Sequence, residues 1–384
     1  TTHGAACNDA TFTATIPGAG RQSMPGTFSW DKPTGNAKIE LHNVAIAGSR
    51  MRFSILASDS GIETHYSGRA LKLEGLLLLA GEFTDAVAGY SGSGQTDLSG
   101  WLRAPADGPI RVVATADLDG ASLANDAGTI AAADITGRLE VDIAVHPDST
   151  SFDLTIDTKQ GEAYVEPVYG NFSEHALHLQ ASDVRTNDFA VFEVGQFELR
   201  QATLLDVGGS ARLAFPEEAD APTSLTADVT LRDSSVATLY TSLVQVQLAG
   251  TILGALDTDG RISGTVQIAD NELRSALLQL DNVILDDQGG RFAVYGLGGV
   301  VDWRADQMGT PAASRMSWES GTAYGLIIGG GDVQLQLGNN DIELLQPLRL
   351  PTMGGALRIN QLALHDFGSD EATGRLDAEL EPVQ

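Results

Sequence analysis

The chain has 384 residues, with 23 Lys+Arg against 51 Asp+Glu, a formal net charge of −28 and a pI near 4.4. That balance excludes a basic face able to displace counterions from nucleic acid. It also disfavours anionic lipid headgroups, though not the apolar tails of a lipid. An apolar fraction of 42% with 19% charged residues implies a real core rather than an acidic disordered tail, and the length fits two to three domains or one long repetitive body.

Cys7 is the single cysteine, so no intrachain disulfide and no multi-Cys zinc site can form. Residues 1–6 do not supply the small-residue signal of a lipoprotein, and Cys7 reads as an ordinary thiol. There is no initiator Met and no basic-then-apolar leader, which suggests a processed protein or an excised piece. The densest apolar run, Leu76-Leu77-Leu78-Leu79-Ala80, is far short of the ~18 residues of a membrane-spanning helix.

The dominant signal is apolar–polar alternation, which gives a strand one greasy and one wet side. It occurs at residues 37–42, 139–143 (extended by Val145), 152–157, 225–232, 244–248 and 333–337. Asp107-Gly108, Asp119-Gly120 and Asp259-Gly260 are tight-turn pairs. Gly289-Gly290, Gly298-Gly299, Gly329-Gly330-Gly331 and Gly354-Gly355 mark further bends. Residues 234–243 and 271–280 have spacing compatible with helix or strand. The acidic, Pro-flanked stretch 215–222 is the best linker, with 307–314 second. Two portions are therefore expected, 1–215 and 223–384, continuous with each other. The class is all-β with few short helices, and a barrel, a sandwich or a long sheet folded on itself would each bury the apolar faces.

Sites for chemistry are absent from this reading. Gly89-Tyr90-Ser91-Gly92-Ser93 begins like a nucleophile elbow but ends in Ser, and the segment 89–94 reads as a turn. His175 and His178 fall on opposite faces of a strand, so they cannot share a metal, and both are read as solvent-facing. Residues 256–262 resemble the middle of a calcium loop, but Ala255 and Val266 stand where acids are required. Arg side chains on outer faces are expected to pair with the surplus acids. No catalytic residue, metal or cofactor is expected.

The last hundred residues are more specific. Gly299-Val300-Val301-Asp302-Trp303 is followed by Ser317-Trp318, Tyr324-Gly325 and the strand Val333-Gln334-Leu335-Gln336-Leu337. Then come Gln346-Pro347-Leu348-Arg349-Leu350-Pro351 and Met353-Gly354-Gly355-Ala356-Leu357-Arg358-Ile359. This order resembles the C-terminal part of YdbH-like proteins, within the AsmA-like group that includes TamB. The resemblance covers roughly residues 250–384 and is architectural upstream. It implies an elongated antiparallel sheet curled into a groove, in the periplasm of a Gram-negative cell, shielding phospholipid acyl chains between the two membranes. It also implies inner- and outer-membrane protein partners and an N-terminal membrane helix, which this sequence lacks.

A curled amphipathic sheet of this kind would present an apolar trough. Its inward set would be Leu139, Val141, Ile143, Phe152, Leu154, Ile156, Leu225, Val229, Leu231, Val333, Leu335 and Leu337. The expected function is non-enzymatic phospholipid transport. Two alternatives remain at this stage. One is a structural or adhesive β protein with the same residues in a closed core. The other is a glycan-acting enzyme, weakened by a 6% aromatic content and scattered Trp30, Trp101, Trp303 and Trp318. Trp303 and Trp318 are expected to staple the C-terminal sheet.

Overall fold

A computed structural model describes residues 4–16, 20–82, 84, 87–165, 168–187, 189–215, 223–245, 248, 250–305, 313–352, 354–366 and 372–381. Most of the expected linkers, 216–222 and 307–312, lie outside the described residues, as does Met353. The chain divides into two compact units, Thr1–Phe197 and Glu198–Gln384. Among the described residues it is nearly all β, with 23 strands, as the alternation predicts.

In the first unit the strands are β1 (Ala5–Ile16), β2 (Gly20–Trp30), β3 (Ala37–Ile46), β4 (Ser49–Ser58) and β5 (Gly61–Lys72). Helix α1 (Leu73–Gly81) follows, then β6 (Tyr90–Pro105), β7 (Ile110–Asn125), β8 (Ile130–Val145), β9 (Thr150–Val165), β10 (Val168–Asn171) and β11 (Leu177–Thr186). Strand β12 (Val191–Gln201) crosses the division. From β1 to β9 each strand pairs antiparallel with the next, and β10 and β11 both pair with β9.

The second unit holds β13 (Leu205–Ala214), β14 (Ser224–Ser235), α2 (Val236–Leu239) and a π-helical turn at Tyr240–Val244. It continues with β15 (Leu256–Ala269), β16 (Glu272–Asp287), β17 (Phe292–Arg304), β18 (Ser314–Ala323) and β19 (Leu326–Gly338). The last strands are β20 (Asp341–Leu344), β21 (Leu348–Thr352), β22 (Gly355–His365) and β23 (Thr373–Glu381). Pairing is again antiparallel, β13 to β20 each with the next and β22 with β20, β21 and β23, save a short parallel contact where Trp303 and Arg304 of β17 meet Leu337 and Gly338 of β19. Within the described pairings β1 meets only β2 and β23 only β22, so neither end is closed into a barrel.

Several sequence expectations are corrected. Asp119-Gly120 and Asp259-Gly260 are not turns. They lie inside β7 and β15, where the register slips between Leu118 and Ala121 and between Asp259 and Arg261. Gly260 has φ +99°, and a Cβ there would sit 2.6 Å from the Asn282 carbonyl oxygen. A glycine with positive φ serves a β-bulge as readily as a hairpin, and only the continuing alternation on both sides tells them apart. Gly298-Gly299 and Gly329-Gly330-Gly331 likewise fall within β17 and β19, and the 89–94 segment is mostly the start of β6. Asp107-Gly108 and Gly289-Gly290 do occupy connections between strands, as does Gly354, while Gly355 opens β22. Residues 272–280, left open between helix and strand by their spacing, are part of β16. Of the 244–248 alternation, Val244 ends the π-helical turn, and residues 246 and 247 lie outside the described residues. The Leu-rich run 76–80, read only as too short for a membrane, is in α1.

Slips of register recur along the first unit, in β3 (Leu41/Val44), β5 (Gly68/Leu71), β8 (Ala133/Thr136) and β11 (Ala181/Val184). A bulge leaves one N–H without its ladder partner. Here side chains of a neighbouring strand supply the acceptor: Asp97 Oδ1 takes the Ala70 N–H at 2.8 Å, and Asp153 Oδ1 takes that of Asp183 at 2.8 Å. Just past the β3 and β5 slips lies the main buried cluster, Met24, Val44, Ile46, Met51 and Leu71. Leu76 and Leu79 of α1 pack against it. A Cβ on Gly75 would lie 2.5 Å from Ala47 Cα, so this glycine lets α1 settle on the β3–β4 turn.

Candidate functional site

Directly paired residues of antiparallel strands point to the same face, so the register assigns each side chain to a side. From β5 to β9 one row runs Thr64, Leu102, Val112, Ile143, Phe152. The next runs Tyr66, Gly100, Ala114, Val141, Leu154, and a third runs Gly68, Leu98, Ala116, Leu139, Ile156. The register thus sets all six expected first-unit residues on one apolar face, as three direct cross-strand pairs: Ile143 with Phe152, Val141 with Leu154, Leu139 with Ile156.

Burial along this face is graded. At the α1 end, Leu71 has no exposed surface. In the middle, the six expected residues are half-buried. At the opposite strand ends Ile62 is 48% and Ile110 43% exposed. They sit on the apolar face, because Ile62 follows the parity of Thr64, and Ile110 that of Val112. One end is therefore sealed by buried side chains and the helix, while the other leaves aliphatic surface in water. Tyr66 lies across the face and donates its hydroxyl to the Val113 carbonyl at 3.1 Å. Gly100 makes that possible, since a Cβ there would stand 2.7 Å from Tyr66 Oη. Burial pushes the Tyr66 phenol above its ordinary pKa.

The reverse face of the same strands is ionic. Arg111 holds Asp142 by two bonds of 2.8 and 2.5 Å, and Arg103 holds Glu63 at 2.6 Å. Both carboxyl groups lie below their usual pKa, chiefly through these guanidinium hydrogen bonds. The two guanidinium groups lie 5.7 and 5.8 Å from the ring of Trp101, within cation–π range. His178 is on this face and meets Asp157 at 2.7 Å. Hollows of about 610 and 490 Å³ in this unit are lined mainly by such wet-face groups, among them Arg50, Arg52, Glu40 and His65. They do not coincide with the expected apolar positions.

The second unit repeats the division. Val229, Val266, Ala276, Trp303 and Leu337 form one row. Ile262, Leu280, Gly299, Met316 and Val333 form another. Leu231 pairs toward Leu278 through Gly264, Leu335 lies opposite Ser314 and Leu344, and Leu225 opposite Leu213. Leu231 is buried, and the other five expected residues of this unit are half-buried. Trp318 lies over the glycines of β19. Its Nε1 donates to the Gly329 carbonyl at 3.1 Å, and a Cβ on Gly331 would come within 2.7 Å of the indole. That is the stapling role expected of it. On the wet side Arg232 reaches Glu198 at 2.7 Å and Asp206 at 2.5 Å.

Sequence reasoning did not single out Tyr66, Leu98 and Leu102, and named Leu76 and Leu79 only within a run too short to span a membrane. The first three stand on strands with interspersed Gly and Ser, and the signal that finds them is parity counted from the bulges. Among the described residues no group of three or more His, Cys, Asp or Glu could hold a metal ion, and no helix is long and apolar enough to cross a membrane. No family model matches the chain, and no curated protein or solved structure matches it either.

Proposed function

We propose that the chain binds phospholipid acyl chains along its apolar sheet faces and passes them between the two membranes of a Gram-negative envelope, without catalysing a reaction. The observation that carries this reading is the graded face of the first unit, buried under α1, half-covered at Val141 and Leu154, and open at Ile62 and Ile110. A face serving only as core would be closed along its length. Covering ten acyl carbons would contribute about 8 kcal/mol at about 0.8 per CH₂, enough to hold a chain without a headgroup site. The C-terminal resemblance to YdbH-like proteins supports a periplasmic setting, inner- and outer-membrane protein partners and a curled sheet.

The test is mass spectrometry of an organic extract of the purified, folded protein. Phospholipid is expected in the wild type. It should be lost in Val141→Asp and in Leu335→Asp, because a carboxylate beside an acyl chain must be desolvated. Folded protein free of lipid would leave the closed-core reading in its place.

A further inference from the structure

The second unit distributes its charge unevenly. In a chain with 51 acids, residues 234–256, 320–331 and 350–357 contain no Asp, Glu, Lys or Arg. Hydrogen bonds bring parts of all three segments to one end of the unit. The Gln288 N–H donates to the Ala255 carbonyl at 3.1 Å, and the Tyr324 N–H to the Arg291 carbonyl at 2.7 Å. Thr352 Oγ1 donates to the Ile327 carbonyl at 2.8 Å, and Tyr240 Oη to that of Leu253 at 2.7 Å. Charges nearby are mostly matched: Asp287 with Arg291, Arg349 with Glu381, each at 2.7 Å, and Asp286 with the Tyr295 hydroxyl at 2.8 Å. Asp257, just inside β15, and Glu319 and Asp332, which flank the uncharged 320–331 stretch, are exposed acids.

What this end offers to water is apolar. Tyr324 is 82% and Ile327 73% exposed, and Leu326 and Ile252 are exposed as well. Tyr324 to Ile327 form the tip of the β18–β19 hairpin. A tyrosine beside aliphatic residues on a projecting turn is what a bilayer interface accepts, the ring at headgroup level and the aliphatic groups below it. The charge pattern selects the surface. A chain of −28 is repelled by anionic lipid, and an uncharged end can approach a zwitterionic one.

We propose that this end of the second unit is a bilayer-contact surface, with Tyr324, Leu326 and Ile327 entering the headgroup region of a zwitterionic membrane. It deepens the lipid-carrying reading by naming where a membrane would meet the protein, and it rests on that reading for its purpose. The test is flotation of the full chain with phosphatidylcholine vesicles. Wild type is expected to float, and Ile327→Glu to partition at least about tenfold less. Tyr324→Ser, at a position already open to water, should weaken flotation with an unchanged thermal melt, which guards against unfolding. A polarity-sensitive dye on Ile327→Cys, in a Cys7→Ser background, should shift to the blue when vesicles are added. Absence of wild-type flotation, or equal flotation of Ile327→Glu, would overturn the proposal. So would an association of copies that needs Ile327 but no vesicles, which assigns the tip to a second copy of this chain. Ile327→Glu should still carry extractable phospholipid. Flotation without extractable lipid in the wild type would sink the carrying reading alone, and lipid without flotation the contact surface alone.

Discussion

Asp287, at the foot of the β16–β17 turn, is buried, and Arg291 binds it three times: Nε and Nη2 at 2.7 Å and the backbone N–H at 2.8 Å. The Arg291 side chain, then its backbone N–H, hold the carboxyl far below the ordinary carboxylate range. A carboxyl with a depressed folded pKa stabilises above its unfolded value and loses that contribution as pH falls. Asp287→Asn is therefore expected to lower the urea midpoint at pH 7. The gap to wild type should close as pH drops below about 4, which a pH series of urea melts checks. Leu71 is a simpler case. With no exposed surface, Leu71→Ala should cost about 2–5 kcal/mol in the same assay. Neither residue stands out in the sequence. Asp287 is one acid among 51, and Leu71 faces inward only because β5 slips its register after Gly68.

Elements were legible where one period ran without interruption. The alternations at 139–143, 152–157, 225–232 and 333–337 became parts of β8, β9, β14 and β19. The helical candidate at 234–243 became α2 and its π-helical extension, entered through Ser235, whose hydroxyl accepts the Thr238 N–H at 3.3 Å. The 271–280 segment was ambiguous because Leu273, Leu277 and Leu280 fit a helical spacing, and the ladders of β15 and β17 decided for strand. Helix α1 gave little signal. Lys72 at its N-cap makes no side-chain cap, and its leucines run all round. Its two sides nevertheless differ, since Leu76 packs on the buried cluster while Leu78 is 67% exposed. Leu76→Asp should destabilise the protein by more than about 2 kcal/mol, and Leu78→Glu by less than about 0.5, in equilibrium urea unfolding.

For the whole molecule, the all-β antiparallel class followed from alternation alone, because a strand with one greasy side must be covered by something. What alternation could not supply was the placing of bulges, which move a residue from one side to the other and so decide which leucines line the face. The nearest-neighbour pairing from β1 to β9 has a further result. Each strand needs only its predecessor as a template, so loop-closure distances stay short and assembly can follow the order of synthesis. A chain formed from its N-terminus onward can add hairpin by hairpin onto its own finished edge. Loss or duplication of two adjacent strands would change the length of such a ribbon while keeping its oily and watery sides in phase.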